Sequence, residues 1–185
     1  MKHIAIFADV SNLYYCIGMK YPDRKLNYAA YYEYISELGL IEQAIAYGAQ
    51  LEREAEGFIY CLKSAGFEPK YKTPKTYRSD GKIKRKADWD VGIAMDLVRL
   101  ALDKQYDMLV LGSADGDLCP LVEWLKELGI IVIILACGIS RDLRLLADQA
   151  IEIPESLLEN KNVNTIQQKS SDSRKWSELT TFPIR

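Results

Sequence analysis

Short apolar runs of strand length alternate with stretches of helical spacing along most of this chain. That alternation narrows the fold more than any other feature. The runs are His3–Ala8 (HIAIFA), Leu40–Tyr47 (LIEQAIAY), Phe67–Lys72, Met108–Leu111, Ile130–Leu135 and Ile151–Ile153. By pattern, Leu40–Tyr47 fits a strand or a helix, but Gly39 and Gly48 bracket it at strand length. Between the runs, Tyr28–Leu38, Arg53–Ala65, Trp89–Leu102 and Leu118–Leu128 carry apolar residues at helical spacing. Ser140 is placed to cap a further helix reaching about Asp148. A continuously apolar strand must be covered on both faces, and helices between strands supply that cover. The pattern predicts an α/β fold, a three-layer α/β/α sandwich around a central, mainly parallel sheet.

The chain has 185 residues, 49% of them hydrophobic, enough for one domain with a substantial core. We place that domain at 1–158. Beyond it the composition turns to Asn, Gln, Ser and Lys with isolated Trp176 and Phe182, which predicts a flexible polar tail over 159–185. No window approaches the roughly 20 apolar residues of a membrane span, so no membrane partner is expected. No apolar run at the N-terminus resembles a signal peptide. The four cysteines form no C-x-x-C pair and His3 is the one histidine, which argues against structural zinc and for thiols kept reduced in a cytoplasmic location. A dinucleotide G-x-G-x-x-G, a phosphate-binding G-x-x-x-x-G-K-[ST] and a G-x-S-x-G nucleophile turn are all absent. So is the D-x-D-x-T pattern of aspartyl phosphatases, because Asp9 is followed by Val10, Ser11 and Asn12.

The carboxylates are not scattered. Asp9 follows the first strand, Asp115 and Asp117 follow the strand at Met108–Leu111, and Asp88 and Asp90 open the helix at Trp89–Leu102. Open parallel sheets bind ligands outside the carboxyl ends of their strands, where loops from distant parts of the sequence converge. Each acid also has a structural reading. Asp117, Asp88, and Asn12 or Ser11, fit as helix caps, with Asp90 facing a helix dipole. Asp9 and Asp115 are harder to dismiss, since a carboxylate at the end of an apolar strand is costly if buried without a partner. Several carboxylates brought together repel, and a divalent cation removes that conflict. Oxygen donors without His or Cys point to Mg²⁺ or Mn²⁺. Such ions activate water and stabilise the leaving oxygen in phosphodiester hydrolysis. Asp96 lies about 240° around the helix from Asp90 and reads as a solvated position paired with Arg99.

The segment Lys70–Lys86 holds six Lys and two Arg against one Asp, a local charge of +7 within a chain of net charge −2. A solvated basic loop is its ordinary reading. It leads directly into Asp88 and Asp90, however, and Tyr77 and Trp89 accompany Lys82, Lys84, Arg85 and Lys86. Cations neutralise phosphates and aromatic rings offer stacking faces, which predicts contact with RNA, single-stranded for preference. Seven of the twelve tyrosines fall in Tyr14–Tyr34. Helix packing accounts for most of them, and Tyr14 or Tyr15 is a weaker stacking candidate.

The blocks IFADVSNL (Ile6–Leu13), KADWDVGIAMD (Lys86–Asp96) and VLGSADGDLCPLVEWLKELGIIV (Val110–Val132) resemble, in this order, the NYN domain family, LabA-like branch, of the PIN-like nuclease superfamily. The likeness extends over about residues 1–155. It implies a metal-dependent ribonuclease-type site with Asp9 as first-strand metal ligand and Asn12 as its partner. Asp90 would be the helix-borne ligand, and Asp115 and Asp117 the loop pair. Asp88, Asp96 and Ser113 would be accessory. Val10-Ser11 and Ala114 stand where the family often has glycine, and neither change removes an acid. The expected activity is Mg²⁺- or Mn²⁺-dependent (endo)ribonucleolytic cleavage by a water activated among the aspartates. The alternative is a non-catalytic RNA-binding or regulatory module on the same fold. Pairing of two copies through apolar helix faces, a homodimer, is a further expectation.

Overall fold

The computed structural model describes residues 1–49, 55–73, 75–79, 82–86, 89–103 and 106–161; at 49, 55, 75–79 and 82–86 it describes the backbone alone. Six strands form the main sheet: β1 (His3–Asp9), β3 (Leu40–Ala49), β4 (Glu68–Lys72), β7 (Met108–Gly112), β8 (Ile131–Ala136) and β9 (Gln149–Glu152). Their order is β4-β3-β1-β7-β8-β9, and every pairing is parallel. The helices are α1 (Val10–Lys20), α2 (Tyr28–Ser36), α3 (Ala55–Ser64), α4 (Asp90–Asp103), α5 (Cys119–Glu127) and α6 (Arg141–Leu146). They flank the sheet in the α/β/α sandwich that the alternation of runs predicts.

The strand order fixes where a site can form. From β1 the chain steps outward to β3 and β4, then crosses back to β7 and steps the other way to β8 and β9. Right-handed crossovers in opposite directions put helices on opposite faces of a sheet. The direction reverses beside β1, so the crevice at the carboxyl ends of β1 and β7 is the topological switch point of the sheet. Ala8 pairs with Gly112 there, so Asp9 and Ser113 leave the two strands side by side.

The core explains why these two strand ends hold still. Ile4, Ile6 and Phe7 of β1 and Leu109, Val110 and Leu111 of β7 are essentially inaccessible to solvent. The Phe7 ring stacks on Tyr47 of β3 with centroids 5.9 Å apart. Tyr31 of α2 is fully buried, and its hydroxyl donates to the Leu135 carbonyl at 2.9 Å. Gly112 is required by close approach: a Cβ there would lie 2.8 Å from the Tyr31 hydroxyl and 3.2 Å from the Ala8 Cα.

Three features differ from the sequence reading. Residues Lys70–Lys86 are not a plain loop. Their start completes β4, and β5 (Lys75–Ser79) and β6 (Lys82–Lys86) pair as an antiparallel hairpin. The Asp80-Gly81 dipeptide between them is a strong hairpin signal, but the strands beside it are basic rather than apolar and so carry no hydrophobic alternation. The helix after Asp9 begins at once with Val10, so neither Ser11 nor Asn12 is its cap. Finally, β10 (Leu158–Asn160) pairs antiparallel with the short β2 (Arg24–Leu26), and the Lys161 amide donates to the Asp23 carbonyl at 3.0 Å. These elements are three residues long, below what a periodic pattern resolves. The rest of the expected tail, 162–185, lies outside the described residues.

Candidate active site at the switch point

Asp9 is the hinge of the site. It is the last residue of β1 and the N-cap of α1, and it is 8% exposed. Its Oδ1 accepts from the backbone amides of Ser11 and Asn12, each at 3.0 Å. The helix start thus orients the Asp9 side chain at the sheet edge, where the macrodipole favours negative charge. Asn12, released from capping, reaches across the crevice, and its Oδ1 accepts from the Ala114 amide at 2.9 Å.

That bond fixes the second acidic loop. Ser113 is fully buried, and its Oγ accepts from the Asp115 amide at 3.3 Å. Asp115 caps the one-turn 3-10 helix Gly116–Leu118, its Oδ1 accepting from the Asp117 amide at 3.0 Å. The capping role expected of Asp117 therefore belongs to Asp115, and α5 follows Leu118 without a side-chain cap. Asp117 is exposed at the mouth. Behind this loop, the Ser140 amide donates to the Ala114 carbonyl at 3.4 Å, so the start of α6 braces it.

The Cys16 thiol of α1 lies behind this edge. Burial first, then the charges of Cys137, Asp9, Asp115 and Glu152, push the Cys16 thiol up to about 11. Asp90 opens α4, which packs against the Gly116–Leu118 turn. The structure thus ties Asn12, one turn after Asp9, to the loop that carries Ser113 and Asp115, with Asp117 exposed on the following turn and Asp90 at the start of α4. Asp88 lies outside the described residues, as do the side chains of Tyr77, Lys82, Lys84, Arg85 and Lys86.

Among the described residues, no group of three or more His, Cys, Asp or Glu side chains is placed to hold a metal ion. A cage of that size is not what Mg²⁺ requires, since it keeps several waters and takes one or two carboxylates directly. The all-oxygen set of Asp9 and Asp115, each with one oxygen oriented by backbone amides, fits a hydrated Mg²⁺ or Mn²⁺ in donor chemistry.

Asp96 differs from its expected solvated setting. Its side chain is 17% exposed, and Oδ2 accepts from Lys70 Nζ at 2.8 Å and from the Tyr47 hydroxyl at 2.9 Å. The expected Arg99 partner is present but longer, at 3.4 Å. Burial pushes the Asp96 carboxyl upward, yet the hydrogen bonds from Lys70 and Tyr47 and the charges of Lys70 and Arg99 hold it below its ordinary value. Sequence reasoning missed Lys70 as its partner because that residue was counted with the basic run. Trp89 is similarly engaged: its indole N–H donates to the Gly48 carbonyl at 2.8 Å, and its ring meets Tyr47 edge-on at 5.2 Å. Lys72 Nζ sits 4.4 Å from the centre of the same ring.

The chain is a doubly wound parallel α/β sandwich with aspartates from separate strand ends at its switch point. The chain belongs to the NYN domain family, whose model matches residues 3–158. It is 30% identical over 161 residues to the low amplitude and bright protein LabA of Synechococcus elongatus, covering 82% of this chain and 84% of that protein. A crystal structure of a protein of unknown function from Vibrio parahaemolyticus superposes with a TM-score of 0.73 at 30% identity, over 85% of this chain and 96% of that one. Among the described residues no helix is long and apolar enough to cross a membrane.

Proposed function

We propose that this chain is a metal-dependent ribonuclease that hydrolyses phosphodiester bonds of single-stranded RNA in the crevice between β1 and β7. The observation that carries the reading is the Asn12–Ala114 hydrogen bond, which locks the Asp9 helix start to the Asp115 loop at the switch point. Asp9 and Asp115 would hold Mg²⁺ or Mn²⁺ directly, with Asp90 and Asp117 completing its surroundings through direct contact or water. The cation, when bound, supplies Lewis-acid polarisation of the phosphate and a lowered water pKa. Asn12 and Ser113 orient the acids, and the lysines of the basic segment align the strand by its phosphates.

Incubation of a labelled single-stranded RNA with the full chain and Mn²⁺ tests this. Cleavage that stops with EDTA and falls at least a hundredfold in Asp115→Asn is expected. Undiminished cleavage by that variant overturns the assignment.

A second reading, a non-catalytic RNA-binding or regulatory module, draws on the lack of a three-acid group among the described residues. Tight, salt-dependent RNA binding with no cleavage across Mg²⁺, Mn²⁺ and Ca²⁺ would favour it.

A further inference from the structure

The sequence pattern groups Trp89 with the basic segment as a stacking face for RNA, but the structure engages its ring elsewhere. The indole N–H donates to the Gly48 carbonyl at 2.8 Å. The ring meets Tyr47 edge-on with centroids 5.2 Å apart, and Lys72 Nζ lies over it, 4.4 Å from its centre. Gly92 comes so close that a Cβ there would fall 2.6 Å from Cε3 of the ring. A base stacks on an open aromatic face. This ring is instead packed from β3, from the end of β4 and from α4.

These contacts hold the start of α4. The Trp89 carbonyl accepts from the Ile93 amide at 2.7 Å, so Trp89 stands at the N-cap position, fixed through main chain and side chain alike. Its anchor, Gly48, is one residue past Tyr47, and Tyr47 is level with Asp9 in the pairing of β1 and β3. Neighbouring strands lie about 4.8 Å apart, so the anchor sits one strand away from Asp9 and at nearly the same height. A row of rings makes the same link. Phe7, on the same face of β1 as Asp9, stacks on Tyr47, and Tyr47 meets Trp89. Less than two turns further along α4, Asp96 accepts from the Tyr47 hydroxyl at 2.9 Å. Helix α4 is therefore attached to β3 at two points, and Asp90 directly follows the first.

We infer that Trp89 is a positioning residue for Asp90: it pins the first turn of α4 to Gly48 and so sets where that carboxylate stands relative to Asp9. This rests on the metal-site reading of the crevice and takes Trp89 out of the RNA contact. Removing a side chain that orients a metal ligand typically weakens metal binding about tenfold or more. Removing a stacking ring weakens single-strand binding by about the same factor. The two roles therefore separate by which ligand is lost.

The test uses the full chain with Trp89→Phe, which keeps a ring but loses the N–H, and Trp89→Ala, which loses both. Melting curves verify that each is folded at the assay temperature; if Trp89→Ala is not, Trp89→Phe carries the comparison. Mn²⁺ affinity is read without RNA from the paramagnetic resonance signal of the free ion. RNA affinity is read in EDTA with a fluorescent single-stranded oligonucleotide, and the hold on α4 from hydrogen exchange of the Ile93 amide. Trp89→Ala should bind Mn²⁺ about tenfold more weakly, with Trp89→Phe between it and the parent. Both should exchange the Ile93 amide about fivefold faster. RNA affinity should stay within about twofold of the parent's. A tenfold loss of RNA affinity with Mn²⁺ binding intact would make the ring a stacking face and overturn the inference, as would equal losses of both ligands. Mn²⁺ binding unaltered in both variants leaves the metal site standing and removes this role for Trp89. If the parent itself takes up no Mn²⁺, the metal reading fails and the Ile93 amide decides: faster exchange in the variants retains Trp89 as the anchor of α4, and unchanged exchange overturns it.

Discussion

Asn12 and Ala114 are 102 residues apart in sequence and 2.9 Å apart in the structure, the side-chain oxygen of one accepting from the backbone amide of the other. The contact exists because β1 and β7 are parallel neighbours whose ends are level, with Ala8 opposite Gly112. Asn12, three residues beyond Asp9 and so one turn along α1, meets the loop leaving β7. Two carboxylates from distant segments are thereby held at one edge of the sheet.

Removing this acceptor should be measurable without any substrate. Ala114 is buried, so Asn12→Ala leaves its amide unpaired, at a cost of about 1–3 kcal/mol. Urea unfolding followed by circular dichroism should show the lower midpoint, and Asn12→Asp, which keeps an acceptor, should lose less. A stability for Asn12→Ala equal to the parent's would mean the bond does not brace the loop.

The Lys70–Asp96 pair predicts an acid-dependent stability. The folded Asp96 carboxyl is held below its ordinary value, so its contribution is present above the unfolded value of about 3.9 and lost as pH falls through the lowered folded one. The stability difference between the parent and Asp96→Asn should be constant from pH 8 to pH 5 and shrink below pH 4. Lys70→Met should cost about 1–3 kcal/mol at neutral pH by removing a charged hydrogen bond from a largely buried carboxylate. A difference that does not vary with pH down to 3 would contradict this.

Gly92→Ala should destabilise despite the better helix propensity of alanine, worth about 1 kcal/mol. A Cβ there would lie 2.6 Å from the Trp89 ring, which is fixed by Gly48, Tyr47 and Lys72. Overpacking of this kind costs about 1–3 kcal/mol, so the thermal midpoint should fall. A raised midpoint would show that the ring is free to move aside.

The cysteines should separate by environment. Cys61 is exposed, whereas burial and nearby negative charge push the Cys16 thiol up to about 11 and burial raises Cys119 and Cys137. At pH 8 a thiol at that value is roughly one part in a thousand thiolate. Reaction with an aromatic disulfide reagent should give one fast phase from Cys61 and a slow remainder, becoming four fast thiols in denaturant. Fast labelling of Cys16 in the native protein would contradict the burial of the α1 face.

The strands of the main sheet were legible because His3–Ala8, Met108–Leu111 and Ile130–Leu135 are apolar without interruption, as a sheet covered on both faces demands. The position of the acids at strand ends was legible for the same reason, since His3–Ala8 stops at Asp9 and Met108–Leu111 stops just before Gly112, Ser113 and Asp115. What did not show was any relation set by geometry between segments. That Asp9 caps α1 itself and frees Asn12 depends on where the backbone turns, and Ser11, Asn12 and Asp9 are all competent caps. The Lys70–Asp96–Tyr47 cluster joins three elements that no local pattern links. The hairpin was hidden by its composition, because a ribbon with charged residues on both faces has no hydrophobic period.

We propose that the aspartates of the switch point act together as one metal site. A crystal structure of the full chain soaked in Mn²⁺, with data collected to reveal the anomalous signal of manganese, tests it most directly. A peak is expected in the crevice between β1 and β7, with carboxylate oxygens of Asp9 and Asp115 about 2.1–2.3 Å from the ion, and it should be lost in Asp115→Asn. A protein whose crevice stays without manganese at saturating concentration, or whose manganese sits away from these two aspartates, would contradict it.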